Sequence, residues 1–559
     1  MEKKITSLLF VLLSFSGWAQ SPCALELPES KERMASHVDY LSSDALEGRY
    51  PGTAGADLAL AYILEHYRMA GLTPLVTDLG AQPFTVARPC LFPADRNFVV
   101  VKEGTLTGAD GVYPHPHSAT AKVSGKKVAV GYGIVAPELQ RNDFAGKDLR
   151  GAIVLMDIGT PDGKGPHGAF AAYNDLDKRI DQAASLGAVG VLLYEGKKGG
   201  SLPSARFKNP RPGGIPVACV SSPAALKKVK RSKTLQLGTE IQPQAAHTAN
   251  AVGYIDNKAE RTLAIGAHYD HLGWGLEHSM HTGDLAIHNG ADDNASGIAV
   301  LLEMARVMTH LPEFNSFNVI FAAFSGEEDG LLGSQHFMQN RPEEARRIDY
   351  MLNLDMVGRL EKGGPLTVAG TGTALEWPEI LREIQCVGAE IKSESAPGSS
   401  SDHASFSRAG IPVLHFFTGI HGDYHRPSDD RDKINPDGME YVLRSLLGVV
   451  SATAERPVLT PQEVKDPTAG RAAASFKVTL GVIPDYGFSG DGMRIAGVSP
   501  GRPAAAAGLK EGDIVVQIGT LTVRDMSSYM EALAAFKKGQ KTKVVFVRQN
   551  ERITKEITF

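Results

Sequence analysis

The chain has 559 residues, more than one hydrophobic core can organise, so several domains are expected. Its 43% apolar and 22% charged fractions are those of an ordinary globular protein. A net charge of −5 spread over that length excludes the basic footprint of a nucleic-acid binder.

At the N-terminus, Lys3 and Lys4 precede an apolar run from Leu8 to Phe15 and then small residues. This pattern predicts a secretory signal peptide cleaved near Ala19. The run is too short to span a bilayer, and no later segment holds about eighteen uninterrupted apolar residues. The expected product is exported, periplasmic or extracellular, with no membrane span after signal removal. Cys23, Cys90, Cys219 and Cys386 are scattered with no C-x-x-C spacing, which excludes a thiolate zinc site.

From Leu25 to about Leu72 the pattern is helical, with a turn at Gly52 and Gly55 and helical apolar spacing from Ala56 to Met69. A second region, Lys122 to Gln242, carries short glycine-bounded apolar runs ("KKVAVGYGIV", "GAIVLMDIG", "GAVGVLLYEG", "IPVACV") that predict buried strands. From Asn250 to Glu455, strands and helices alternate. "TLAIGAHYD", "FNVIFAAFS", "IDYMLNLDMVG" and "IPVLHFFTG" read as strands; "ASGIAVLLEMARVMTHL" and "DGMEYVLRSLLGVVSATA" read as helices. This order predicts an α/β fold with a doubly wound, mostly parallel mixed sheet. Glu455 to Arg471 holds three prolines and no periodicity, which predicts a linker. Ala474 to Phe559 reads as a compact unit of short strands with one helix.

In such a sheet, functional groups gather beyond the C-terminal ends of strands. Those positions hold His268 and Asp270, Asp292 and Asp293, Glu327 and Glu328, Asp355, and His425. Two histidines and several carboxylates thus converge, with almost no lysine or arginine inside the motifs. Unpaired buried anions are expensive. A pair of divalent cations resolves the expense, and nitrogen and oxygen ligands without sulfur suit zinc, with manganese or cobalt able to use similar groups. If Asp292, Glu328 and Asp355 are ligands with neutral His268 and His425, three negative charges meet four positive ones from two Zn2+, and a bridging hydroxide closes the balance.

The adjacent Glu327 and Glu328 then divide the work. Glu328 binds metal, and Glu327 takes a proton from the attacking water as general base and returns it as general acid. Asp270 shares a strand face with His268 and is expected to accept the imidazole's second N–H. Tyr424 is placed to donate its hydroxyl to a developing oxyanion. Asp293 reads as a helix cap or a site-shaping residue. His278, His281 and His288 read as solvated loop residues.

"HYD", "GADDNASG", "SGEEDGLLGS", "NLDMVG", "SDHASF" and "YHRPSDD" occur in the order seen in dizinc aminopeptidases, and the set resembles the superfamily that includes glutamate carboxypeptidase and the transferrin receptor. "LEGRYPGTAG" near the N-terminus also looks like this family. The resemblance implies one metal on His268 and Asp355, the other on Glu328 and His425, a bridging Asp292, and a cis peptide between Asp292 and Asp293. "DFAGKDLRGAIVLMDIG" with "AASLGAVGVLLYEG" resembles a protease-associated domain, and "SPGRPAAAAGLKEGDIVVQIGTLTV" resembles a PDZ domain with a carboxylate-binding loop at Thr479 to Val482.

The implied layout is a signal peptide over 1–19, the N-terminal part of the peptidase domain over 20–121, a protease-associated insert over 122–245, a zinc exopeptidase core over 246–455, a linker over 456–473 and a PDZ domain over 474–559. The implied activity is a secreted aminopeptidase acting on peptides, with protein C-termini as partners of the PDZ domain. A carboxypeptidase on the same metal core and a metal-free binding protein are the alternatives. The former wants arginines for the substrate carboxylate, and Arg359 and Arg426 lie near the ligand motifs.

Overall fold

The computed structural model describes residues 25–163, 168–197, 201–281, 283–384, 390–464, 478–484, 491–498, 502–524, 528–529, 532–533, 535–536, 539–549 and 551–559. The expected signal peptide, Cys23, Cys386 and the second half of the expected linker lie outside the described residues. Cys90 and Cys219 are buried free thiols. Among the described residues no helix is long and apolar enough to cross a membrane.

The chain divides into two compact units, residues 1–84 with 247–559 and residues 85–246. The first holds a nine-stranded mixed sheet. Its strands are β1 (Thr73–Pro74), β2 (Ala81–Leu91), β3 (Gln242–Ile255), β4 (Thr262–His268), β5 (Asn318–Phe324), β6 (Tyr350–Leu354), β7 (Pro365–Ala369), β8 (Glu390–Glu394) and β9 (Val413–Phe417). They run in the order β1-β3-β5-β4-β6-β9-β7-β8, with β2 beside β3.

The central strands β5, β4, β6 and β9 are mutually parallel, while β3 and β7 pair antiparallel with β5 and β9. Their composition explains the position: every residue of β4, β5 and β6 is buried, as near-continuous apolar runs must be when helices cover both faces. One face packs on α1 (Ser30–Leu41), α2 (Ala54–Met69), α3 (Gly297–His310) and the long α5 (Pro436–Ala454); the other packs on α4 (Leu332–Gln339) and a short turn of helix at His403–Ser407. The buried Glu303 of α3 ties α1 down, accepting from Ser30 Oγ at 2.5 Å and Arg33 Nη2 at 2.8 Å.

The second unit is an eight-stranded sheet whose core includes Ile153, Leu155, Leu192, Ala218 and Leu237 on one side and Val154, Met156, Val191, Leu193 and Cys219 on the other. Phe98–Val101, Gly104–Leu106 and Val112–Pro114 belong to this sheet, through Thr234–Thr239 and Val217–Val220. The unit therefore takes in residues that the sequence reading placed in the peptidase domain before Lys122. These strands are three or four residues long, too short to show their partner by pattern.

The C-terminal part forms its own six-stranded sheet around a core that includes Leu480, Ile495, Val515, Ile518, Val544 and Phe546.

Candidate metal centre

Four parallel strands end at one edge of the sheet, and the side chains just past those ends meet. His268 is the last residue of β4. Asp355 follows β6, Glu327 and Glu328 follow β5 across the left-handed Gly326, and His425 follows β9 in a loop. Asp293 comes from the turn that leads into α3.

Asp293 stands between the two imidazoles. Its Oδ1 lies 3.4 Å from His268 Nε2 and its Oδ2 lies 3.3 Å from His425 Nε2. On the His268 side, Asp355 Oδ1 is 3.3 Å from the same Nε2. On the His425 side, Glu328 Oε2 is 3.2 Å from Nε2. The donor atoms of His268, Asp293 and Asp355, and those of His271, Asp293 and Glu328, lie close enough to share an ion. One carboxylate thus belongs to two groups of nitrogen and oxygen donors.

The shared position is that of Asp293, where the sequence reading put Asp292. Asp292 turns away: Oδ1 accepts from Gly358 N at 2.6 Å and Ser296 Oγ at 3.0 Å, and Oδ2 faces His421 Nε2 at 3.1 Å. Nor does Asp293 cap the helix that follows. The expected cis peptide is displaced by the same one residue, to Asp293–Asn294. Tandem aspartates look identical in sequence, and the backbone decides which one points inward. Here Asp429 sets it, its Oδ2 accepting the main-chain N–H of both Asp292 and Asp293 at 3.0 and 3.1 Å.

His271 was missed by sequence reasoning. It is wholly buried, and its Nδ1 lies 2.8 Å from Glu328 Oε1. A carboxylate only accepts, so Nδ1 is the donor. This bond holds one oxygen of Glu328 and leaves the other facing His425. Its Nε2 has no hydrogen-bond partner among the described residues. The signal was present as a third polar residue in "HYDH", three positions past the strand end.

The supporting contacts differ from expectation in detail. His268 Nδ1 donates to the main-chain carbonyl of Asp270 at 3.1 Å, while the Asp270 carboxylate is 3.8 Å away. That carboxylate instead accepts from Glu327 N at 3.1 Å, so it orients the turn that carries Glu327. His288, expected in solvent, is buried, with its Nε2 2.7 Å from Ser279 Oγ; His278 and His281 are exposed. The His278 carbonyl accepts from His425 Nδ1 at 2.9 Å, which leaves Nε2 for the centre. The Tyr424 ring stacks on His425 with centroids 3.8 Å apart.

Electrostatics show what the cluster lacks. Burial alone would deprotonate both imidazoles. Against it, Asp355, Glu327 and Asp293 raise His268 well above its usual range, and Glu328 and Asp293 push His425 up to about 11. Burial, with Glu328, Asp355 and Asp402 nearby, raises the Glu327 carboxyl well above the usual range, against the pull of His268. Burial, with Asp293, Glu328, Glu327 and Asp355 nearby, holds the Tyr424 phenol protonated. The centre draws positive charge to itself, and its donors are imidazole nitrogens and carboxylate oxygens; both properties fit zinc.

Residues 250–450 match peptidase family M28, residues 103–227 match the PA domain and residues 465–559 match the PDZ domain. An aminopeptidase of Bacillus subtilis, YwaD, is 27% identical over 474 residues, covering 81% of this chain and 91% of its own. An aminopeptidase of Pseudomonas aeruginosa is 26% identical over 486 residues, covering 77% of this chain and 81% of its own. Among solved structures, a zinc aminopeptidase from Bacillus subtilis is similar over 79% of this chain and 98% of its own, with 23% identity and a TM-score of 0.45.

Proposed function

From the premise that the chain carries a peptidase family M28 domain with an inserted PA domain and a C-terminal PDZ domain, we propose that it is an exported dizinc aminopeptidase that removes N-terminal residues from peptides. The observation that carries the reading is Asp293, whose two oxygens face two separate donor groups at 3.4 and 3.3 Å. In this reading His268, Asp355 and Asp293 hold one ion, and Glu328, His425 and Asp293 hold the other. Zinc there would supply Lewis-acid polarisation of the scissile carbonyl and acidify the attacking water.

The chain's own groups do the rest. Glu327 takes the proton of the attacking water and delivers it to the leaving amine. Burial raises its affinity for a proton, which favours its taking one from the water. Asp270 fixes the main chain of Glu327, and His271 fixes the carboxylate of Glu328. The protonated Tyr424 hydroxyl is a donor for the developing oxyanion. The PDZ domain is read as a holder of protein C-termini.

Arg359 weighs against the carboxypeptidase alternative. It is engaged with Asp429 at 2.8 Å and Asp423 at 3.3 Å, so it is committed to holding the Asp293 turn and not to a substrate carboxylate.

One short peptide with either end blocked tests the reading. N-terminal acetylation is expected to abolish hydrolysis and C-terminal amidation to leave it; the reverse result makes the protein a carboxypeptidase. Glu327→Gln is expected to keep its zinc and lose about 10²–10⁴-fold in kcat. Hydrolysis at the parent rate would remove Glu327 from the mechanism.

A further inference from the structure

Arg49, in the "EGRYPGTAG" motif, has no part in the chemistry described so far. It is 1% exposed and sits at φ 51°, in the left-handed region. Its guanidinium donates to four main-chain carbonyls: Nε to Tyr269 at 2.7 Å, Nη1 to Leu41 and to Asn289 at 2.6 Å, and Nη2 to Gly290 at 3.0 Å. Tyr269 lies between His268 and Asp270, and Gly290 lies three residues before Asp293. One side chain therefore joins the two loops that deliver the strand-end histidine and the shared aspartate.

The main chain repeats the link. His271 N donates to Arg49 O at 3.4 Å, and Gly273 N donates to Gly48 O at 3.1 Å. Asn289 Nδ2 donates to Asp44 Oδ1 at 3.0 Å. The approach is close enough that a Cβ on Gly48 would lie 2.4 Å from His288 O.

Arg49 forms no ion pair among the described residues. Burial lowers its pKa to about 10, opposed by Asp293, Asp270, Asp429 and Glu328, so it remains a cation at neutral pH. The carboxylates of the centre are the charge it balances. Four carbonyl oxygens aimed at one point repel each other unless a multidentate cation joins them, and a guanidinium offers five donors in a fixed fork.

We propose that Arg49 is a positioning residue that holds the His268 and Asp293 loops at ligand spacing and thereby sets the zinc affinity of the centre. The inference rests on the metal reading above. A cluster held together before the ion arrives binds it more tightly than one that must be assembled. Lysine keeps the charge but presents one nitrogen, which cannot span four carbonyls.

The test is chelator competition for zinc, in the full chain, on the parent, Arg49→Lys, Arg49→Gln and Glu303→Gln. The last breaks the buried tie between α1 and α3, away from the centre, and is the control for general destabilisation. The Arg49 variants are expected to bind zinc at least about tenfold more weakly, the size typical of lost support to a ligand. Glu303→Gln is expected to lower the melting temperature and leave zinc affinity at the parent value. Parent-like affinity in the Arg49 variants, or an equal loss in Glu303→Gln, overturns the proposal. A parent that binds no zinc overturns the metal reading itself.

Hydrogen exchange on the parent gives a second measurement that needs no variant to fold. The amides of His271 and Gly273, bonded to Arg49 and Gly48, are expected to be protected already in the zinc-free parent. Unprotected exchange at these amides overturns the brace.

Discussion

At one end of the centre His268 rides the last position of a central strand; at the other His425 hangs in a loop. His268 is 1% exposed, and its free nitrogen is held by a carbonyl two residues away. His425 sits at φ 54°, and its free nitrogen is held by the carbonyl of His278, 147 residues earlier. Met280 N donates back to His425 O at 2.9 Å, so a single loop grips this histidine twice. The strand-built end inherits its geometry from the sheet. The loop-built end needs extra help, and His271 provides it by fixing Glu328.

The hardest test of this contrast is the residue common to both ends. Asp293→Asn is expected to abolish zinc binding at both ends and to cost more than about 10²-fold in kcat/KM, measured by metal analysis and peptide hydrolysis. Asp292→Ala is expected to retain both ions and to lose about 1–3 kcal/mol of stability, since it removes the acceptor of the buried Gly358 N–H. Exchange of these two outcomes would return the shared role to Asp292.

His271→Ala separates the ends. Zinc affinity at the loop-built end is expected to fall about 10–100-fold while the strand-built end keeps its ion, so titration should resolve one weak and one strong site. Equal weakening of both would show that His271 serves the whole cluster.

The smallest effect is one of pH. In the metal-stripped protein His425 has a folded pKa of about 11, against roughly 6.5 unfolded. A raised folded value gives stability that is complete below the unfolded pKa and is lost as pH climbs towards the folded one. The melting temperature of the stripped protein is therefore expected to decline from pH 7 to pH 10, and His425→Gln to flatten that decline. A slope unchanged by the substitution would place the titration elsewhere.

Much of this was legible in the linear pattern. The apolar runs of β4, β5 and β6 identify a buried parallel sheet, and the polar residues that end each run mark its functional edge. His268, Glu327, Glu328 and Asp355 follow from that rule, while His425 lies in the loop eight residues past β9. Less visible were features that depend on side-chain direction. "GADDN" carries no sign of which aspartate turns inward, since that depends on Asp429 more than a hundred residues away. Arg49 is legible as a residue of a motif but not as a brace, because its partners are carbonyls, which every residue possesses.

Sequence alone determined which chemical groups are present and that they stand at strand ends, because burial and periodicity are local properties of the chain. Tertiary structure alone decided which oxygen faces which nitrogen. Those distances are set by loops that meet only after the sheet has formed, and a rotation of one residue in a turn exchanges a shared carboxylate for a structural one.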